Sequence, residues 1–311
     1  MATKLPKISI IGTGNVGGAL ALALTDKGYK IASIIDTNGS RVLNISKIIK
    51  CEKVGVVVTD VALSTDILFI TVNDNQIANV VSDLLKNKKL YLKKMLIIHC
   101  SGAYPSKILE PLRKKGALIG AMHPIQTFPS SQNPIKSKTK FRGIYFGISG
   151  SDESLKWIEQ IVKNLEGKTQ VIPDDLKPLY HVASVFASNY EMILLNSLSE
   201  LTAKLHLSIP WSELFGQLLT ASMENMMKDG IGKALTGPIV RGDMGTIDLH
   251  LKTIDEHSPH LLPLYTICGV EAARVAKENN RLTDEDFNEI IIKFRKFVQS
   301  SSIKKITKGK K

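Results

Sequence analysis

Along residues 1–174, apolar positions fall in short runs separated by helical stretches, and from 175 onward they recur at helical spacing alone. Ile8, Ile10 and Ile11 form a β-branched run, as expected of a strand covered on both faces of a parallel sheet. A turn follows, then an apolar helix that includes 19–24; Gly28 ends it, and 30–35 reads as a second strand. The alternation continues with a helix over 40–49, a strand over 54–59, a strand in ILFITV ending at Val72, and a helix over 77–85. Further strands are predicted in MLIIHC, LIGAM, GIYFGISG and TQVIP, with a helix over 153–165 before the last. This pattern predicts an α/β fold, a doubly wound parallel sheet, for 1–174. After it, LYHVASVFASNYEMILLNSLSELTAKLHL runs without glycine or proline, Pro210 opens another helix, and 246–254, 261–277 and 284–299 read as helices. An all-α domain is therefore expected over 175–303, supplying substrate contacts and a homodimer surface, with a disordered basic tail at 304–311.

The first turn carries the strongest chemical signal. Gly12, Gly14 and Gly17, with Asn15 and Val16 between them, fit G-x-G-x-x-G, and Asp36 ends the next strand nineteen residues after Gly17. The spacing predicts a nicotinamide dinucleotide, with its pyrophosphate on the helix N-terminus and its ribose on Asp36. Ligands of such sheets bind beyond the carboxyl ends of the strands, which places Val72, Asn73 and Asp74 beside the cofactor. Asp36 favours NAD(H), whereas Arg41, with Ser40, offers a charge-assisted partner for the 2′-phosphate of NADP(H); either cofactor is expected to bind.

Composition narrows the picture. The 311 residues, 43% hydrophobic, suit about two domains. Cys51, Cys100 and Cys268 form no close pairs and no signal-peptide pattern opens the chain, so a cytoplasmic protein without disulfides or a metal site is expected. No apolar run reaches membrane-spanning length. The net charge of +12 comes from lysines spread along helices and loops, which argues for a solvated surface and a small anionic substrate, and against nucleic acid.

Candidate chemistry gathers at strand ends and on the first long helix. Ser101 follows the fifth strand, where it either caps the next helix or meets substrate. His123 ends the sixth, its backbone held extended by Pro124. Lys177, His181, Ser184 and Ser188, with Asn189 adjoining, make one polar stripe opposite Leu179, Val182, Val185, Phe186 and Ile193. Short serines and an asparagine suit a cleft floor better than open solvent. Arg241, between Gly237 and Gly242, either clamps a substrate carboxylate or pairs with Asp243 or a helix end, and Asp243 is also a candidate cap for the helix containing Thr246.

GTGNVGG, FITVND, HCSGA, MHPIQTF, LYHVASVFASNY and LTGPIVRGD together resemble a family of Rossmann-like oxidoreductases joined to a C-terminal domain of unknown function of the DUF2520 type. That family is similar to ketopantoate reductase and to the 6-phosphogluconate dehydrogenase and pyrroline carboxylate reductase group. The resemblance implies a C-terminal domain like that of 6-phosphogluconate dehydrogenase, and hydride transfer from NADPH to a small 2-oxo acid. Lys177 then donates a proton or stabilises the alkoxide, His181 orients it, and Ser101, His123 and Asn189 position the carbonyl. Ketopantoate reductase has Lys-x-x-x-Asn where this chain has Lys177-x-x-x-His181. An imine reductase and a catalytically inactive NAD(P) sensor are the alternatives.

Overall fold

The computed structural model describes residues 5–51 and 53–300, so the expected tail at 304–311 lies outside the described residues. The chain forms two compact units, Met1–Tyr190 and Glu191–Lys311. The change of period at 174–175 and this division do not coincide.

The first unit is an eight-stranded sheet flanked by helices. In chain order it contains β1 (Ile8–Ile11), α1 (Asn15–Asp26), β2 (Ile31–Ile35), α2 (Gly39–Ile49), β3 (Val54–Gly55), β4 (Ile67–Ile70), α3 (Ile77–Lys86), β5 (Leu96–His99) and α4 (Glu110–Arg113). There follow β6 (Leu118–Pro124), α5 (Pro134–Ser137), β7 (Tyr145–Gly150), α6 (Asp152–Asn164), β8 (Lys168–Val171) and α7 (Lys177–Val185). The strand order is β3-β2-β1-β4-β5-β6-β7-β8, so the direction of winding reverses between β1 and β4. Ile8 and Ile10 pack on the core of one face, with Leu20 and Leu24 of α1, while Ile11 joins that of the other, with Val80 and Leu84 of α3. Ser9 interrupts this run yet is fully buried; its hydroxyl bonds those of Ser33 (2.8 Å) and Thr65 (2.7 Å), which removes the cost of an orphaned polar group.

Three expectations need correction. The strand predicted over 54–59 ends at Gly55, and Val58–Asp60 forms a 3₁₀ turn. Asp60 accepts hydrogen bonds from the amides of Val56 and Val57 (both 3.2 Å), taking the donors that a longer strand would have paired. The sheet is also not wholly parallel, because β7 runs antiparallel to β6 and β8 is parallel to β7. The β6–β7 connection returns to the end of the sheet that it left, with the Ile125 amide bonded to the Tyr145 carbonyl (2.9 Å). Finally, the long helix expected after Lys177 is interrupted by a π-helical segment, Phe186–Tyr190; Leu179, Val182, Phe186 and Ile193, opposite the polar stripe, are exposed.

The second unit is helical: α8 (Glu191–Ala203), α9 (Trp211–Asp229), α10 (Ile231–Ala234), α11 (Met244–His257), α12 (Leu262–Glu278) and α13 (Asp284–Ser300). Ile247, Leu251, Leu262, Ala273, Ile290 and Phe294 form its core. Gly269 admits the Phe294 ring, which a Cβ there would meet at 2.7 Å. Neither α8 nor α9 contributes a side chain to that core. Among the described residues no helix is long and apolar enough to cross a membrane.

Candidate functional site

The glycine loop joins β1 to α1 with three distinct steric roles. Gly12 has φ +94°, and a Cβ there would lie 2.7 Å from the Thr71 backbone. A Cβ on Gly17 would lie 1.9 Å from the Gly12 carbonyl oxygen and 2.3 Å from Thr71 Oγ, so this glycine lets α1 pack on the β1 and β4 ends. A Cβ on Gly14 would meet nothing within 4 Å: this position faces open space at the N-cap of α1. Gly12, Gly14, Asp36, Arg41, Val72 and Asn73 line one cavity of about 370 Å³. Val16 and Gly17 follow in the first turn of α1, and the Asn15 side-chain Nδ2 donates to the Phe128 carbonyl (2.9 Å). This is a cradle that fits a dinucleotide: an open amide-rich helix start with a carboxylate at the end of β2.

Asp36 has a further task that the sequence did not reveal. Its Oδ2 accepts from the amide (2.6 Å) and hydroxyl (3.0 Å) of Thr13, and its Oδ1 accepts from the Asn38 amide (2.8 Å), so it ties the glycine loop to the β2–α2 turn. Arg41 lies 3.6 Å from Oδ2. Thr13, inside the glycine motif, is the partner that spacing alone could not single out.

A second group assembles at the carboxyl ends of β4, β5 and β6, facing α7. Lys177 is fully buried, and its Nζ has no hydrogen-bond partner among the described residues. Burial pulls its pKa down, while Asp174, Cys100 and Asp74 pull it up. Asp174 is engaged elsewhere: it accepts from the amide (2.9 Å) and hydroxyl (2.7 Å) of Ser106 and from the Lys107 amide (3.2 Å). His181, one turn after Lys177, holds Nδ1 buried and unpartnered. His123 approaches the Tyr180 hydroxyl at 2.7 Å through Nδ1. Burial, then the Lys177 charge and His181, push the His123 pKa down to about 4, and burial pushes that of Tyr180 up to about 12. Gly102 makes the arrangement possible, because a Cβ on it would lie 2.8 Å from His181 Nδ1 and 3.0 Å from His123 Nε2.

His99 and Cys100, which sequence reasoning passed over, complete the floor. The Ser101 amide donates to His99 Nδ1 (3.2 Å), leaving Nε2 to donate to the Pro105 carbonyl (3.2 Å). Burial and Lys177 lower the His99 pKa to about 4, and burial raises the Cys100 thiol to about 12, which leaves it inert as a nucleophile. Ser101 does not cap the next helix, whose N-cap is Pro105; it closes the turn before it, its hydroxyl accepting from the amides of Ala103 (3.2 Å) and Tyr104 (3.1 Å) and giving its proton to Asp74 (2.8 Å). Asn73 in the glycine-loop cavity and Asp74 beside Ser101 are consecutive, so the β4–α3 turn joins the two groups of residues.

The predicted polar stripe is thus divided. Lys177 and His181 face the strand ends; the Ser184 hydroxyl donates to the Tyr180 carbonyl (3.1 Å); Ser188 is half-buried; Asn189 is exposed within the π segment. Arg241 belongs to the second unit, where it is exposed beside a hollow of about 400 Å³ lined also by Arg281 and Asp286. Asp243 accepts from the Thr246 amide (3.0 Å) and hydroxyl (2.7 Å) and caps α11. Tyr180 and Asp174 were also missed, since both sit among ordinary helix-start residues.

Comparison with known proteins adds the following. Residues 2–124 match the family model described as a Rossmann-like domain, and residues 144–272 that of a domain of unknown function, DUF2520. No curated protein matches the chain. Among solved structures, a candidate NADP oxidoreductase from Bacteroides fragilis is 21% identical with a TM-score of 0.73, covering 86% of this chain and 98% of its own. Pyrroline-5-carboxylate reductase from Coxiella burnetii is 18% identical with a TM-score of 0.55, covering 89% and 99%. A reductive aminase from Aspergillus terreus, in complex with NADPH and ethyl-5-oxohexanoate, is 14% identical with a TM-score of 0.56, covering 95% and 94%. This chain has their fold.

Proposed function

We infer that this chain, which joins a Rossmann-like domain to a DUF2520 domain, is an NAD(P)H-dependent reductase of a small carbonyl compound, a 2-oxo acid first among the candidates. The observation that carries this reading is the buried, unpartnered Lys177 Nζ beside His123 and His181, in the same unit as the glycine loop. The loop residues Gly12, Gly14, Asn15, Val16 and Gly17, with Asp36, Arg41, Val72 and Asn73, would hold the dinucleotide, which when bound supplies a hydride. Lys177 stabilises the oxygen that becomes an alkoxide and donates its proton; burial makes the ammonium a stronger acid, which suits that task. His123 and His181 orient the same oxygen, and Ser101 fixes the turn beneath it. Ser184, Ser188 and Asn189 line the approach in this reading.

Reduction of an imine is the second reading, supported by the fold shared with a pyrroline-5-carboxylate reductase and a reductive aminase. A buried ammonium opposes a positively charged iminium and favours a developing alkoxide, so the carbonyl reading ranks first. The test is NADPH and NADH oxidation with a panel of 2-oxo acids, ketopantoate included, against cyclic imines. Turnover of imines alone reverses the ranking, and no turnover with either class leaves a cofactor-binding sensor.

The protein also self-associates in this reading, through α8 and α9. Leu194, Leu201, Leu214 and Leu218 are exposed on them, and Met227 is 84% exposed; grouped exposed apolar side chains of this kind suit a protein–protein contact. Sedimentation should give a dimer, and Leu218→Glu combined with Met227→Glu a monomer; a monomeric wild type refutes the interface.

A further inference from the structure

We propose that Tyr180 is a positioning residue for His123: it donates its phenolic proton to Nδ1, holds the imidazole in the Nε2–H tautomer, and aims that N–H across Gly102 toward the substrate oxygen. The proposal rests on the reductase reading for its substrate, but its structural half stands on the sheet.

The antiparallel β6–β7 register pairs His123 with Gly147, and directly opposed residues share a face of the sheet. Gly147 leaves that face empty, and the Tyr180 phenol fills the gap: a Cβ on Gly147 would lie 2.6 Å from Oη. The phenol thereby reaches His123 Nδ1 at 2.7 Å, with the two rings edge to face at 86° and centroids 5.6 Å apart. Between pH about 4 and about 12 the phenol is protonated and the imidazole neutral, so the O–H is the donor and a bare ring nitrogen the acceptor. A neutral imidazole carries one proton. With Nδ1 filled by the phenol, it resides on Nε2, 3.0 Å from the point where a Gly102 Cβ would stand. His181 Nδ1 lies 2.8 Å from that same point and has no partner, so both rings border the space above Gly102. Two glycines, Gly147 behind and Gly102 in front, thus leave room for one imidazole to be gripped on one nitrogen and presented on the other. Such an N–H suits a carbonyl oxygen, which accepts but cannot donate.

The test reads the tautomer directly. In a ¹⁵N–¹H long-range spectrum of the wild-type protein near neutral pH, His123 should be a single Nε2–H species, and Tyr180→Phe should convert it to a mixture with Nδ1–H. In the same variant kcat for the 2-oxo acid should fall at least about tenfold while cofactor Kd is unchanged, as expected when a catalytic imidazole adopts the wrong tautomer. Gly147→Ala, which displaces the phenol from the sheet side, should shift the tautomer in the same direction. An Nδ1–H tautomer in the wild type, or an unchanged tautomer in both variants, overturns the assignment. A shifted tautomer with unaltered kcat overturns the positioning role. Failure of the wild type to reduce any carbonyl or imine refutes the reductase reading and with it the positioning role, whereas the spectrum still decides the Tyr180–His123 bond.

Discussion

Lys177 Nζ and His181 Nδ1 lie one turn apart on the same face of α7, and neither nitrogen has a hydrogen-bond partner among the described residues. Polar atoms left buried in this way cost stability, and proteins retain such costs where the atoms are used. Lys177→Ala should therefore lower kcat by roughly 10² or more with little change in cofactor affinity. Lys177→Met should do the same while raising stability by about 1–4 kcal/mol, because an apolar side chain of similar length replaces a desolvated charge. The lysine's depressed pKa means that the unfolded chain holds more protons above the folded pKa. Wild-type stability should thus rise with pH up to about 10.4, the pKa of an unperturbed lysine, and Lys177→Met should lack that rise. Denaturant melts across alkaline pH check both; normal turnover in Lys177→Ala removes the lysine from the mechanism.

The glycines of the loop separate folding from binding. Gly14→Ala adds a methyl group into open space and should change stability by less than about 1 kcal/mol, yet weaken NADPH binding at least about tenfold. Gly17→Ala forces a methyl group against the Gly12 carbonyl and should destabilise the fold by about 1–3 kcal/mol or more. Fluorescence titration beside thermal melts distinguishes them, and undiminished affinity in Gly14→Ala would mean that no pyrophosphate lies there.

Arg41 stands beside Asp36, ready to exchange that carboxylate for a phosphate. Arg41→Ala should weaken NADPH binding by about 1.5–3 kcal/mol and leave NADH unchanged. Asp36→Ala should weaken both cofactors and lower stability, since the Thr13 amide loses its acceptor. Calorimetric titration of each cofactor decides; equal losses for both in Arg41→Ala exclude the phosphate contact.

His99 and His123 are held neutral, with pKa values of about 4 against 6.5 in a free chain. Their depressed pKa values contribute stability that is complete above pH 6.5 and lost as pH falls toward 4, by roughly 1.4 kcal/mol per pH unit for each group. His123→Gln should flatten part of this acid limb. A wild-type stability constant between pH 6.5 and 4 would show that the two imidazoles are not buried neutral.

The sequence alone determined the glycine loop, most of the succession of strands and helices, the helical second half, and the positions of His123 at a strand end and Lys177 at a helix start. Those features are local: a tight turn needs glycine at fixed positions, and a covered strand needs a β-branched run, whatever lies elsewhere. Only the tertiary structure decided that β7 runs antiparallel, because strand direction depends on which end of the sheet the connecting loop returns to, and the apolar pattern is identical either way. From that reversal follow the pairing of His123 with Gly147 and the reach of Tyr180 into the site. The burial of Lys177, the engagement of Ser101 by Asp74 and that of Asp36 by Thr13 were likewise beyond local reading. Each joins residues distant in the chain, and hydrogen-bond partners of that kind are set by how sheet and helix meet rather than by spacing along the chain.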